Sequence, residues 1–416
     1  MPYRRPSSDL IAAAKLKVWL LMKRGETPSP QLLRLSGESM ESEAHKTEPS
    51  SQAPVKVSFE LARLHAREPA PLPRVHAPVR RLAVYGCIVW DLFAVVPGRF
   101  DGGKSIVLPD PVASDTEESI NFDYQLMSVL FGGIAANIAY GLGRLGVRPL
   151  LLGVAGSDFR PTYDDWLTAN GVETSNVAVV SGERTSLFAL LEDEDDRRIT
   201  IFYPLVMNAV PNYDPAPSLD RGKFGQQDLV IITPGVPDVM LRLAEACRKA
   251  RIPYVVDPSE RMQWLTDQQL RSLVSGADMV IGNRFEVEEL KRRTGWKDGD
   301  LLSYVNTLVT TRGIDGVSIQ GSWLSEPTVV HPVVSEGGNR LGVGDAFRAG
   351  LFGGIAHGLD LERAAELGCA MAALNLEVSG AQGSDYLPSD IARRLYENYD
   401  QETVGAVMSA FPNSQE

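Results

Sequence analysis

From Leu82 onward the chain alternates two kinds of segment, and that alternation limits its fold more than any other feature. Uninterrupted apolar runs stand at Leu82–Val89, Pro149–Ala155, Leu229–Thr233, Tyr254–Asp257, Met279–Gly282 and Asn306–Thr311. Between them lie segments that read as helices: the Ala- and Gly-rich Gly133–Gly146, then Asp158–Asn170, 237–251, 262–275 and 284–294. A strand that is apolar at every position is buried on both faces, whereas a half-exposed strand alternates apolar with polar. Strand, helix, strand, helix therefore predicts an α/β fold, a mostly parallel central sheet flanked by helices. Two stretches break the rhythm. Residues 103–130 and 184–204 alternate, as in Thr185–Leu191 and Arg198–Tyr203, which predicts a small β-sheet projecting from the main one.

Residues 1–80 have a different character. They hold ten of the 27 prolines but two of the 37 glycines, and Glu26–Pro30 and Glu68–Arg74 read as extended linker. We expect a Pro-rich, disordered N-terminal extension over 1–80 and one folded domain over 81–416. The apolar stretch Leu10–Met22 is interrupted by Lys15 and Lys17 and is too short to span a membrane; it reads as a short amphipathic helix. The net charge of −12 is unevenly spread, because residues 1–80 carry 13 basic and 8 acidic side chains and the remainder is strongly acidic. An acidic body repels phosphate backbones, so no nucleic-acid partner and no membrane partner is expected. Three scattered cysteines, Cys87, Cys247 and Cys369, form no disulfide framework or Cys-rich zinc site and suit a reducing, cytoplasmic compartment. Beyond residue 80 only His331 and His357 remain, which excludes a His-built metal site.

Two motifs carry chemistry. In Leu341-Gly-Val-Gly-Asp-Ala-Phe-Arg-Ala-Gly350, two glycines flank one small residue, an aspartate follows, and a helix begins. Glycines let successive backbone N–H groups converge on one point, and a helix N-terminus adds a dipole that favours an anion. Asp345 repels phosphate, so it suits a general base beside the anion site; alternatively Gly-Val-Gly-Asp is a turn and Asp345 its helix N-cap. In Phe131–Gly146 a Gly132-Gly133 pair opens a helix of small residues that carries Asn137, either a hydroxyl-binding group or a polar residue facing water. The acidic run Glu192–Asp196 reads as a solvated hairpin tip, Trp166 and Trp296 as packing. Phe122, Tyr124 and Phe188 read as core aromatics or as a surface for a flat ring.

Gly132-Gly133…Asn137…Leu145-Gly146…Gly156-Ser-Asp158 resembles the first signature of the PfkB (ribokinase-like) carbohydrate kinase family, and Gly342-Val-Gly-Asp-Ala-Phe…Ala349-Gly350 resembles the second. Asn283-Arg-Phe-Glu286 is similar to the family's Asn-x-x-Glu, and Thr311-Arg-Gly-Ile-Asp-Gly316 to its Thr-x-Gly-x-x-Gly. Four landmarks in order identify the chain as a member. Val95–Phe100, Phe202–Pro204, Thr294–Trp296 and Leu361–Gly368 most resemble the actinobacterial-type adenosine kinases.

The resemblance implies a ribokinase-like kinase domain over 81–416 with a lid formed from about 95–130 and 184–204. It implies transfer of a phosphoryl group from ATP with Mg²⁺ to a primary hydroxyl of a nucleoside or sugar, adenosine first, ribose or fructose second. A catalytically weak scaffold or regulator is the third reading. By resemblance Asp345 is the base, the N–H groups of Gly342, Val343 and Gly344 the anion hole, and Asp91, Gly132, Gly133 and Asn137 the substrate contacts. Thr311, Gly313 and Gly316 form the nucleotide-side loop, and Asn283 and Glu286 position Mg²⁺ largely through water. The resemblance also admits a monovalent cation site and a homodimer through the lid. One departure stands out: Asn339-Arg340-Leu341 replaces the family's Asp-Thr-Thr or Asp-Pro-Thr, which leaves the anchoring of the loop and the cation site open.

Overall fold

The computed structural model describes residues 79–95, 99–101, 105–107, 126–195, 197–210, 213–335, 340–378, 380–383 and 387–411. The N-terminal extension, most of 95–125 with Phe122 and Tyr124, and Asn339 lie outside the described residues. The strands are β1 (Leu82–Tyr85), β2 (Val89–Val95), β3 (Arg99–Asp101), β4 (Ser105–Val107), β5 (Leu126–Gly132), β6 (Leu150–Gly156), β7 (Val177–Val180), β8 (Ser186–Glu192) and β9 (Arg198–Tyr203). They continue as β10 (Leu229–Ile232), β11 (Tyr254–Val256), β12 (Met279–Asn283), β13 (Thr307–Thr311), β14 (Val317–Gly321) and β15 (Thr328–Val330). The helices used below are α1 (Ile134–Arg144), α2 (Thr162–Ala169), α3 (Pro237–Ala250), α4 (Asp267–Val274), α5 (Arg284–Thr294), α6 (Val343–Ala356) and α7 (Leu361–Leu376).

Nine strands form the main sheet in the order β15-β14-β13-β12-β11-β10-β1-β6-β7. Pairing is parallel from β7 to β13, and β14 and β15 close the far edge antiparallel. The apolar runs are continuous because successive residues enter opposite cores. Leu82 and Val84 join α1, α6 and α7 on one face, while Ala83 and Tyr85 join α3, α4 and α5 on the other. The chain builds outward from β1 to β6 and β7, then returns to the other side of β1 with β10. That reversal beside β1 opens a crevice at the C-terminal strand ends, where ligands bind in open α/β sheets.

A second sheet, β5-β2-β8-β9, projects from the first. It begins at Val89, six residues before the expected lid boundary, because the run Leu82–Val89 is not one strand. Gly86 N–H still donates to Leu152 O and Cys87 N–H to Pro234 O, after which the chain leaves the main sheet and pairs with β5 and β8. Asp91 therefore sits within the small sheet and not at the end of the first strand. Two expected helices start late. Pro161 has no N–H to donate and disfavours helical backbone before it, so α2 begins at Thr162. Thr266 caps α4 through a reciprocal box with Gln269, so that helix begins at Asp267. Within the acidic run, Asp193 to Asp195 lie in the β8–β9 turn, where Asp193 is buried, not solvated, and accepts from Asp195 N–H and Arg197 N–H.

Helices α1, α6 and α7 pack closely because glycines face one another. A Cβ on Gly350 would lie 2.6 Å from Gly368 Cα, and one on Gly405 would meet nothing within 4 Å. Gly350→Ala is expected to lose about 1–3 kcal/mol by overpacking, whereas Gly405→Ala, on an exposed helical position, should gain a few tenths to about 1 kcal/mol. Urea unfolding of both variants checks the contrast; equal effects would contradict the packing.

Candidate active site

The N-terminus of α6 faces the crevice. Gly342 adopts a left-handed backbone (φ 76°) and stands so close to Ala381 that a Cβ would lie 2.2 Å from that residue's own Cβ. The loop before it is anchored by Asn375 of α7, whose amide donates to Leu341 O at 2.8 Å. This side chain supplies the tether that the missing Asp-Thr left open, while Arg340 is exposed. The first helical bond is Ala346 N–H to Gly342 O at 2.8 Å, and no side chain caps this helix. The amides of Val343 and Gly344 thus sit at the positive end of the helix beside the crevice, the arrangement an anion requires.

Asp345 is the third residue of α6, not its N-cap. Its Oδ2 accepts from Asn137 Nδ2 at 2.8 Å, which joins the first turns of α1 and α6. Asn137 is buried and does not face water. Burial pushes the Asp345 carboxyl up to about 6; the Arg348 guanidinium and the Asn137 bond pull it down, while Asp257 and Glu286 push it further up. Arg348, one turn along α6, is buried. Its Nε lies 2.6 Å from Asp257 Oδ2, its Nη2 donates to Asp257 Oδ1 at 3.1 Å, and its Nη1 donates to Gly344 O at 3.0 Å. Asp257 follows β11 at the same sheet edge, and burial pushes its carboxyl upward against the pull of Arg348.

On the small-sheet side, Asp91 is 5% exposed. A Cβ on Gly132 would overlap its carboxyl at 2.0 Å, so only glycine leaves room for the carboxylate there. Burial, then the nearby charge of Asp345, pushes Asp91 up to about 8. Gly133 is the N-cap of α1, and its carbonyl accepts the Asn137 N–H at 2.8 Å. The five residues Asp91, Gly132, Gly133, Asn137 and Asp345 are thus gathered around one corner of the crevice.

Asn283 ends β12 and caps α5. Its Oδ1 accepts from Phe285 N–H and Glu286 N–H, and Glu286 Oε2 accepts Asn283 N–H at 2.7 Å. Thr311 lies beside Asn283 in the β12–β13 register, followed by the Gly313–Asp315 turn and Gly316, whose carbonyl accepts Arg312 N–H. The oxygen donors of Asn283 and Glu286 suit a hard cation. Each has an oxygen committed to the backbone, so they fit a hydrated Mg²⁺ held through water and not a direct cage. Among the described residues no group of three or more His, Cys, Asp or Glu is placed to hold a metal ion.

Four residues of this corner escaped the sequence reading: Arg348, Asp257, Asn375 and Gln382. Arg348 had a signal, a charged residue within a small apolar helix face three residues after Asp345. Gln382 had none, since its role depends on long-range packing. Trp166 stacks on Phe131 and Tyr140, as a packing residue should, and in addition donates to Gln382.

Fold and site together define a ribokinase-like kinase of sugars or nucleosides. The family described as pfkB family carbohydrate kinase matches residues 106–388, and the chain belongs to it. The chain is 26% identical over 255 residues to the nucleoside kinase of Methanocaldococcus jannaschii, covering 61% of this chain and 81% of that one. It is 27% identical over 271 residues to the ribokinase of Lactococcus lactis, covering 64% and 86%. Among solved structures, the nucleoside kinase of Burkholderia thailandensis in complex with inosine is similar at a TM-score of 0.65 and 26% identity, covering 76% of this chain and 98% of that one. No helix among the described residues is long and apolar enough to cross a membrane.

Burial of Asp91 has a consequence for stability. Its folded pKa of about 8 lies above the ordinary carboxylate value, so its contribution is fully present below about pH 4 and is lost as pH rises through 8. Asp91→Asn, neutral throughout, is therefore expected to raise the melting temperature by a few degrees at pH 8, with a smaller gain at pH 5. A gain independent of pH, measured by calorimetry, would contradict the burial argument.

Proposed function

We propose that this kinase transfers the γ-phosphoryl group of ATP to the 5′-hydroxyl of a purine nucleoside, with adenosine, giving AMP, as the first acceptor. The observation that carries the reading is the Asp345 carboxylate, held by Asn137 beside the uncapped N-terminus of α6. Asp345 takes the hydroxyl proton as the acceptor oxygen forms its bond to the γ-phosphorus. The bond from that phosphorus to the bridging oxygen breaks, and ADP leaves with the electron pair. The amides of Gly342, Val343 and Gly344 take up charge on the transferred group. Asp91 and Asn137, with the Gly132-Gly133 corner, clasp the sugar hydroxyls, and Thr311, Gly313 and Gly316 border the nucleotide. Asn283 and Glu286 would hold Mg²⁺ through water, where the ion would supply positive charge to the phosphates. The small sheet acts as a lid that excludes water from the transfer.

The preference for a nucleoside rests on the small sheet. Phe188 lies beside Asp91 in the β2–β8 register, and Phe202 lies beside Phe188 in β9, so an aromatic row leads away from the hydroxyl clasp on the same face. A free pentose has no use for that row; a flat base does. The inosine-bound relative supports the same acceptor class, while the ribokinase relative supports ribose as the second reading. A scaffold without activity is disfavoured, because base, amide partner and open helix end are all intact.

Asp345→Asn should lower kcat at least about 100-fold while leaving the KM for adenosine nearly unchanged. In the parent enzyme kcat should fall about tenfold per pH unit below about 6, as Asp345 takes up a proton. A coupled assay of ADP release with adenosine, inosine, ribose and fructose checks both; turnover of none of the four would sink the reading. Phe188→Ala should raise the KM for adenosine about tenfold or more, the scale of one base–aromatic stack, and leave the KM for ribose unmoved. An equal rise for both would argue for a free-sugar acceptor.

A further inference from the structure

Behind Asn137 lies a buried hydrogen-bond chain whose direction is fixed by chemistry at both ends. The Trp166 indole N–H can only donate, and it donates to Gln382 Oε1 at 3.1 Å. The Tyr163 hydroxyl spends its proton on Gly132 O at 2.7 Å, so towards Gln382 it can only accept. Gln382 Nε2 therefore gives one hydrogen to Tyr163 Oη at 2.7 Å and the other to Asn137 Oδ1 at 2.9 Å. With its carbonyl end committed, Asn137 presents its amino end to Asp345 at 2.8 Å. Gln382 is 5% exposed and Tyr163 fully buried, so the bonds from Gln382 to Tyr163 and Asn137 are shielded from bulk water.

We propose that Gln382, oriented by Trp166 and Tyr163, is a positioning residue that locks the Asn137 amide so that it donates to the catalytic carboxylate. An asparagine amide turned end for end has nearly the same shape, so packing alone does not choose between the two orientations. The choice matters because the flipped amide would set its carbonyl oxygen against the Asp345 carboxylate, favouring the protonated acid, which cannot act as a base. The other groups facing Asp345 are Arg348 on its own helix, Asp257 after β11, Glu286 on α5 and Asp91 on β2. Two of these four, Asp257 and Glu286, are carboxylates that oppose its ionisation, so the orientation of the one amide donor carries weight. The inference rests on the proposed role of Asp345 as base.

The test is Gln382→Met, which keeps length and removes both polar ends. Carboxyl ¹³C NMR should show the Asp345 titration moved up by about one pH unit, the loss of one hydrogen bond to a charged group. At pH 6 kcat should fall about fivefold, with the KM for ATP unchanged. Trp166→Phe, which keeps the ring stack and frees Gln382 to turn, should move both quantities the same way by less, and it carries the test if Gln382→Met unfolds. In an Asn137→Ala background Gln382→Met should cost nothing more in kcat. Unmoved titration and kcat in the single variants, or additive losses in the double variant, would overturn the relay. A titration that moves in a parent protein that phosphorylates no nucleoside or sugar would uphold the relay and remove the kinase reading instead.

Discussion

The structure turns on keeping one carboxylate ionised where burial and its neighbours oppose it. Asp345 feels the charges of Asp257 and Glu286, and a single buried guanidinium, Arg348, offsets them. Arg348 does so from a fixed position, pinned by Asp257 on one side and the Gly344 carbonyl on the other. Coulomb attraction in a buried site is strong only when geometry is held, since the cost of removing both charges from water has to be offset. The pair is thus bound up with the helix end: the same guanidinium that favours the ionised Asp345 carboxylate also holds the carbonyl of the second residue of α6, next to the amides that face the crevice.

Such a corner demands close backbone approach, and the fold supplies it with small residues. Gly141 and Ala349 bring α1 against α6, and Gly350 and Gly368 bring α6 against α7. The short distance from Asn137 to Asp345 follows from that first contact. Asn375, one helix further out, then ties the loop before Gly342 in place. Packing among apolar helices and polar contact at the site are here one arrangement, because each fixes the separation that the other uses.

The main sheet was legible in the sequence because burial on both faces leaves a continuous apolar run, and the six expected runs correspond to strands of that sheet. What could not be read was where a run changes sheet. Leu82–Val89 looks uniform, yet the chain leaves the main sheet after its last bonds there, from Gly86 to Leu152 and from Cys87 to Pro234, and from Val89 it pairs with β5 and β8, partners far away in sequence. The strands β7, β14 and β15 at the two ends of the sheet were missed for a related reason: their pairing is decided by neighbours and not by their own pattern. At the site, residues within glycine-marked motifs were visible, since a glycine next to a polar residue signals close approach. Asp257 and Gln382 were not, because nothing local distinguishes a surface acid or amide from one that three distant elements enclose.

The Asn283–Glu286 pair shows why a short motif underdetermines chemistry. Taken alone, Asn-x-x-Glu is a helix capping box, and the bonds between the two residues are those of such a box. A cap needs nothing beyond its own helix, so capping does not explain why this one stands at the C-terminal strand ends beside the crevice. Two facts outside the helix do bear on that. The β12–β13 register sets Asn283 beside Thr311, and the Glu286 charge reaches Asp345 and Arg348. A box that also fixes a carboxylate near Asp345 and Arg348 gains rigidity from its capping bonds, and a rigid oxygen donor is what an outer-sphere contact to a hydrated cation needs. The structural and functional readings of the pair are therefore not rivals: the cap supplies the immobility on which the proposed cation role would depend.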